Sequence, residues 1–216
     1  MKHIAIVAAL LVTVVQGKDV LVSCRFVGLE PNKDGITALV ATGKDGKAEM
    51  IALTVEEALS KPVVLKSDKG VISFRKGESD TAVAATAKIP ATAKDAIIFF
   101  VPTEKEGLVL ETLVLDSSAK AFPPGAGIIL NHCPQKAKIT VGENVIEIKP
   151  DEFAPVARPK EIDEFNMVSV KFELETEGTW RTSFESNVRF VKEQRNLFVS
   201  YIEPATKRPR FWIFQE

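Results

Sequence analysis

Two histidines and two cysteines are the scarcest reactive side chains in this 216-residue sequence, and one of each stand together as His132-Cys133. An imidazole held against a thiol would make a cysteine nucleophile, provided the base lies within hydrogen-bond reach. Neighbours on a strand point to opposite faces, so His132 and Cys133 cannot pair directly. No G-x-S-x-G string offers His132 a serine instead. Imidazole-based zinc sites generally draw on two or three histidines, more than remain once His3 leaves with the leader described below. Paired carboxylates occur at Glu104/Glu106, Glu161/Asp163/Glu164 and Glu173/Glu175. A glycosidase needs two such groups held across a cleft, one with its pKa raised by burial. These pairs fall in turns or beside lysines on the wet side of strands and read as solvated surface. Glu30-x-Asn32-x-Asp34-Gly35 begins like a calcium loop, but the acid expected at its end is Ala41. Gly125-Ala126-Gly127 lacks the third glycine and the helix of a dinucleotide site. The expectation is a chain with no catalytic, cofactor-binding or metal-binding residues.

Other residues point to structure or to contact. In an exported protein the pair Cys24 and Cys133 is a candidate disulfide. Two buried thiols are the alternative, as is a lipidated Cys24, because Leu21-Val22-Ser23-Cys24 matches a lipobox. The cluster Lys207, Arg208 and Arg210, with Trp212 beside it, is a candidate interaction patch, since Arg and Trp are enriched at interfaces. Trp180 and Trp212 are the candidates for a glycan-binding platform, which needs indoles lying flat and exposed.

Composition and leader narrow the setting. Twenty-eight Lys and Arg oppose 29 Asp and Glu, a balance that lacks the concentrated positive field of a nucleic-acid binder. Met1-Lys2-His3 gives a short positive start, Ile4 to Val15 is apolar except Thr13, and Val15-Gln16-Gly17 is an acceptable cleavage site. That layout predicts a secretory signal over residues 1–17, with the mature chain running from 18 to 216. Its twelve apolar-region residues would rise about 18 Å as a helix, too short to span a bilayer. No later run is long or apolar enough to do so.

The mature part is dominated by period-two alternation. Val168, Val170, Phe172 and Leu174 alternate with Ser169, Lys171, Glu173 and Glu175; Ile146 and Ile148 alternate with Glu147 and Lys149. Leu197, Val199 and Tyr201 face one way, while Phe198 and Ile202 imply cover on the other. Ala96 to Val101 is continuously apolar, as in a central strand buried on both faces. Asn32-Lys33-Asp34-Gly35, Lys44-Asp45-Gly46, Asp68-Lys69-Gly70 and Gly142-Glu143-Asn144 supply tight turns. Thr54 with Glu57 three residues later forms a capping box, so one short connector helix is expected near 54–60, stopped by Pro62. The fold class is all-β, a sandwich over residues 18–216.

Five strings carry a resemblance: Phe99-Phe100-Val101-Pro102, Val114 to Ser118, Phe122-Pro123-Pro124-Gly125 with Ile129-Leu130-Asn131, Lys138 to Gly142, and Arg195 to Val199. Together they resemble small secreted proteins of Gram-negative bacteria, some encoded beside type IV pilus-like components of the outer membrane. The resemblance covers about the last half of the chain. It implies an immunoglobulin-like sandwich with Greek-key connections and brings no functional residue with it. The N-terminus lacks the long apolar helix and adjacent glutamate of a pilin, which implies an accessory protein and not the filament subunit. The function expected is that of a non-enzymatic envelope protein, located in the periplasm, at the outer membrane or outside the cell. It would act through protein partners or self-association, with a carbohydrate-binding module as the alternative.

Overall fold

Alternation builds the strands where it was read. In Met167–Thr176 the side chains of Val168, Val170, Phe172 and Leu174 are buried, while Ser169 is exposed. In Asp95–Pro102 the two faces go to two different cores: Ala96, Ile98 and Phe100 to one, Ile97, Phe99 and Val101 to another. The computed structural model describes residues 20–29, 36–41, 48–53, 55–76, 82–102, 110–203 and 206–216. The expected signal segment, the turns at 32–35 and 44–46, and Glu104/Glu106 lie outside these residues.

Strands are numbered in chain order. The first half contains β1 (Val20–Gly28), β2 (Ile36–Ala41), β3 (Ala48–Leu53), β4 (Val63–Ser67), β5 (Val71–Arg75), β6 (Val83–Lys88), β7 (Asp95–Pro102) and β8 (Leu110–Asp116). They form one mixed sheet in the order β6-β5-β2-β4-β1-β7-β8, with β3 beside β2 and with β1 and β7 parallel. The sheet curls until its edges meet. No ladder joins β6 to β8, but the two run close, and Thr112 Oγ1 of β8 donates to the Thr86 carbonyl of β6 at 2.7 Å. Curling encloses a core of Phe26, Phe74 and Phe100 with Val22, Leu65 and Ile72, lined by Ala84, Ala85, Ala87, Ala93 and Ala96. Small side chains let the walls of a closed sheet approach.

The second half contains β9 (Gly127–His132), β10 (Ala137–Val141), β11 (Asn144–Ile148), β12 (Glu152–Val156), β13 (Met167–Thr176), β14 (Thr179–Arg189), β15 (Asn196–Glu203) and β16 (Arg208–Gln215). These make two four-stranded sheets, a middle one ordered β12-β9-β15-β16 and an outer one ordered β11-β10-β13-β14. The middle sheet is covered on both sides. Ile129 and Phe198 pack with Ile139, Val170 and Phe172 of the outer sheet, while Ile128, Leu130, Leu197 and Val199 pack with Val27, Ile97 and Phe99 of the curled sheet. This is why β9 and β15 read as nearly unbroken apolar runs. Between the halves, the chain bends at Gly125, whose φ of +77° suits glycine and where a Cβ would fall 2.9 Å from the Lys192 carbonyl oxygen.

The chain is therefore all-β, with several sheets and no helix among the described residues. The connector helix expected at 54–60 is not formed by residues 55–60, Thr54 lying outside the described residues. A helix would join the Ser60 N–H to the Glu56 carbonyl. Instead the Gly28 N–H donates to the Glu56 carbonyl (2.8 Å), the Ser60 N–H donates to the Phe26 carbonyl (2.9 Å), and the Phe26 N–H donates to Ser60 Oγ (2.9 Å). The end of β1 takes both partners of the helical bond, so tertiary pairing overrides the local cap.

Candidate functional site

His132 closes β9, and its Nδ1 lies 2.5 Å from Asp151 Oδ1, in the turn before β12. Cys133 is not placed to serve this pair as a nucleophile. Cys133, the first residue past the end of β9, turns into the core between the middle and outer sheets, and burial pushes its pKa up to about 12. A thiol held so far up stays protonated and inert at neutral pH. Cys24 behaves alike, with its pKa also raised to about 12, chiefly by burial and then by the charge of Asp95. The candidate disulfide is not formed: both thiols are free, and Cys24 lies in the core of the curled sheet, apart from the cluster that holds Cys133. Two buried thiols is the arrangement found. Among the described residues no three His, Cys, Asp or Glu side chains gather to hold a metal ion.

The two tryptophans do not make a common platform. Trp180 opens β14 at the margin of the outer sheet, half-buried, with Lys138 Nζ 4.6 Å from its ring centroid. Trp212, on β16, stands edge-on to Tyr201 at 5.5 Å and to Phe214 at 5.8 Å, with one face committed to the core against the curled sheet. The basic cluster lies where β16 begins. Lys207, Arg208 and Arg210 are exposed, but Arg210 is engaged by Glu203 through two hydrogen bonds of 3.0 and 3.1 Å. Thr206 donates to the same carboxylate, and these bonds hold Glu203 below the usual carboxylate range. Much of the candidate patch is thus a braced hairpin turn.

What the patch leads into is more telling. Arg195 and Glu216 exchange both backbone hydrogen bonds (2.8 and 3.0 Å), which fixes the phase of the β15–β16 ladder. In an antiparallel pair such bonded residues alternate with residues whose N–H and C=O point away. The backbones of 208, 210, 212 and 214 therefore face β15, and those of 209, 211, 213 and 215 face outward. Among the described residues no strand lies beyond β16 in its sheet. Pro209 blunts the start of this edge, having no N–H to offer. Phe211, Ile213 and Gln215 leave the rest open. Their side chains face the outer sheet, where Phe211 stacks at 4.9 Å on both Phe172 and Phe184. This edge forms one wall of an apolar groove of about 660 Å³, bounded by Phe184 on one side and by Glu57, Ala58 and Leu59 on the other.

A second feature could not have been found by reading along the chain. Glu216 Oε1 accepts from Arg25 Nη1 and from Arg195 Nη2, each at 2.5 Å. Arg195 Nη1 donates to the carbonyls of Ser117 (2.7 Å) and Phe122 (3.2 Å). The clamp ties β1 of the curled sheet to the ends of β15 and β16, beside a polar cavity of about 340 Å³. No spacing in the sequence brings 25, 195 and 216 together.

Compared with known protein families and with curated proteins, the chain has no match. No helix among the described residues is long and apolar enough to cross a membrane.

Proposed function

We propose that this protein is an exported, non-enzymatic component of the bacterial cell envelope that works through protein contact at the free edge of β16. One observation carries the reading: the outward backbone groups of Phe211, Ile213 and Gln215 stand unpaired among the described residues inside an apolar groove. Exposed sheet edges pair readily with another strand, and proteins usually guard them with proline, charge or cover. Here the guards Arg208 and Pro209 stop short of the edge's second half. An added strand gains main-chain hydrogen bonds from the edge and specificity from side-chain pockets alternating along it.

The leader read over residues 1–17 supports export. The resemblance to secreted immunoglobulin-like proteins supports the envelope as the destination, and we propose the immunoglobulin-like description for the two packed four-stranded sheets of residues 127–216. A carbohydrate platform draws no comparable support, because Lys138 covers Trp180 and Trp212 is half-buried against a core. Site-specific photo-crosslinking in the native cell tests the reading. A photoreactive residue at Gln215 should give defined protein adducts, identified by mass spectrometry. The same residue at Val145, exposed on the outer sheet, should not. Equal adducts at both positions, or none at Gln215, would refute it.

A further inference from the structure

We infer that the strand accepted by this edge is β16 of a second copy, paired antiparallel about a twofold axis through Ile213. The inference rests on the protein-contact reading above and names the occupant. Three observations select it. First, the ladder phase allows only pairings that match outward residues with outward residues. Of the symmetric pairings, the one centred on Ile213 sets Phe211 against Gln215 of the second copy and Ile213 against its own counterpart, so every outward donor and acceptor of these three residues is used. Centring one residue earlier, on Trp212, brings the donor-less Pro209 opposite Gln215 and wastes part of the edge.

Second, the same register sets Trp212 of one copy against Phe214 of the other, a cross-strand aromatic pair formed twice. Both side chains are half-buried now, on the face that also carries Leu59. Third, two identical edges can close on each other only antiparallel, because only that alignment has a twofold axis. It carries Arg208, exposed at the start of the edge, toward the far end of the partner strand and away from its own counterpart. A strand that complements itself in hydrogen bonding and aromatic contact has the form of an isologous interface.

Proline distinguishes the two sides of β16. The Ile213 N–H points away from β15, so Ile213→Pro should spare the β15–β16 ladder while removing the central intermolecular donor, counted twice by symmetry. Sedimentation velocity over a concentration series should show the full chain associating to a dimer. Ile213→Pro should weaken that association about tenfold or more, given the usual worth of two hydrogen bonds. Gln215→Pro, also outward, provides a second variant should the first fail to fold, with Gln215→Ala as its control, which loses the same side-chain bonds to the Arg189 carbonyl and Asn196 Oδ1 but keeps the N–H. Amide exchange should slow about tenfold at Phe211, Ile213 and Gln215 as concentration rises.

A chain that stays monomeric throughout would overturn the inference, as would a dimer whose three amides still exchange freely. The two readings fail separately. A purified monomer whose Gln215 nonetheless cross-links to a different protein in the cell removes the second copy and leaves the protein-contact reading standing. Absence of both association and adducts removes both.

Discussion

The two halves of the molecule solve the same problem, burying apolar side chains between sheets, in opposite ways. Residues 20–116 bend one sheet around a core of three phenylalanines that meet at an angle: Phe74 with Phe100 at 4.9 Å and 83°, and Phe26 with Phe74 at 6.2 Å and 86°. Alanines on β6 and β7 keep the walls close, and the two edges of the sheet come together at a seam. Residues 127–216 instead lay two flat sheets face to face over stacked rings: Phe172 on Phe211 at 4.9 Å, Phe198 on Phe211 at 6.0 Å, and Phe190 on Phe198 at 6.0 Å. The seam sets the two edges of the curled sheet, β6 and β8, against each other without a ladder. Stacking leaves the second half with open ones at β14 and β16. The contact surface proposed for β16 follows from that difference in architecture, since edges and not faces are what a sandwich leaves unsatisfied.

The sharpest way to break the comparison is to remove a ring from each half. Phe74→Ala deletes a fully buried ring touching two others and should cost about 3–5 kcal/mol in denaturant unfolding. Phe211→Ala removes a half-buried ring at an edge and should cost clearly less. Equal losses would mean that the ring at the open edge is relied on as heavily as the enclosed one. Next in size is Asn131, a buried amide in the second half. Its Nδ2 donates to the carbonyls of Gln135 (2.9 Å) and Ile148 (3.4 Å), and its Oδ1 accepts from the Cys133 N–H (3.1 Å) and Ser200 Oγ (2.9 Å). Asn131→Leu removes all four bonds, leaving Ser200 Oγ only the Leu130 carbonyl, and should cost about 2–3 kcal/mol. The curled sheet has no counterpart among the described residues to this four-way amide.

Each half holds one buried thiol, which permits a matched measurement. Neither Cys24 nor Cys133 should react with a thiol reagent in the native protein, and both should react in denaturant. Both folded pKa values are raised to about 12, so below the ordinary thiol range the two states bind protons equally and stability is unaffected. Above about pH 9 the unfolded chain ionises and the folded one does not. Stability should then fall by up to about 1.4 kcal/mol per pH unit for each thiol, until the folded pKa is reached. Cys24→Ala and Cys133→Ala should each remove one share of that slope. A steep slope surviving both replacements would assign the alkaline loss to other groups.

Some of this was legible along the chain and some was not, for physical reasons. Strands β7, β13 and β15 declare themselves because burial on one face or two writes a period into neighbouring residues. Pairing does not. β1 and β7 lie parallel, as do β9 and β15, and each pair joins segments about seventy residues apart with no local signature. The division into a curled sheet and a sandwich was hidden for that reason. Residues 55–60 misled because the capping cue is local while the hydrogen bonds that decide the matter come from Phe26 and Gly28. At the candidate site, composition drew attention to Trp212 and the basic cluster. The open edge beside them, at Phe211, Ile213 and Gln215, needed the ladder phase set by Arg195 and Glu216.

The smallest expected effect separates the halves by acid. Glu173, on the water-facing side of the outer sheet just past an irregularity in the β13–β14 register, is nearly buried between Lys138 and Lys171, each 3.0 Å away. Burial pushes its pKa up, but hydrogen bonds and charge from the two lysines outweigh this and leave it below the usual carboxylate range. A carboxyl depressed on folding stabilises the protein above its unfolded pKa, and that stability is lost as pH falls through the folded value. Protection of β10 and β13 amides should therefore weaken as pH drops below about 4, before the core of the curled sheet responds. Glu173→Gln should flatten this acid dependence at a cost of about 1–2 kcal/mol near neutrality, as expected when charged hydrogen bonds give way to weaker neutral ones. Lys138 also lies over Trp180, so the same substitution should alter Trp180 fluorescence and leave Trp212 unchanged. If both halves loosen together on acidification, Glu173 is not what ties the outer sheet down, and the two architectures share a common acid-labile element.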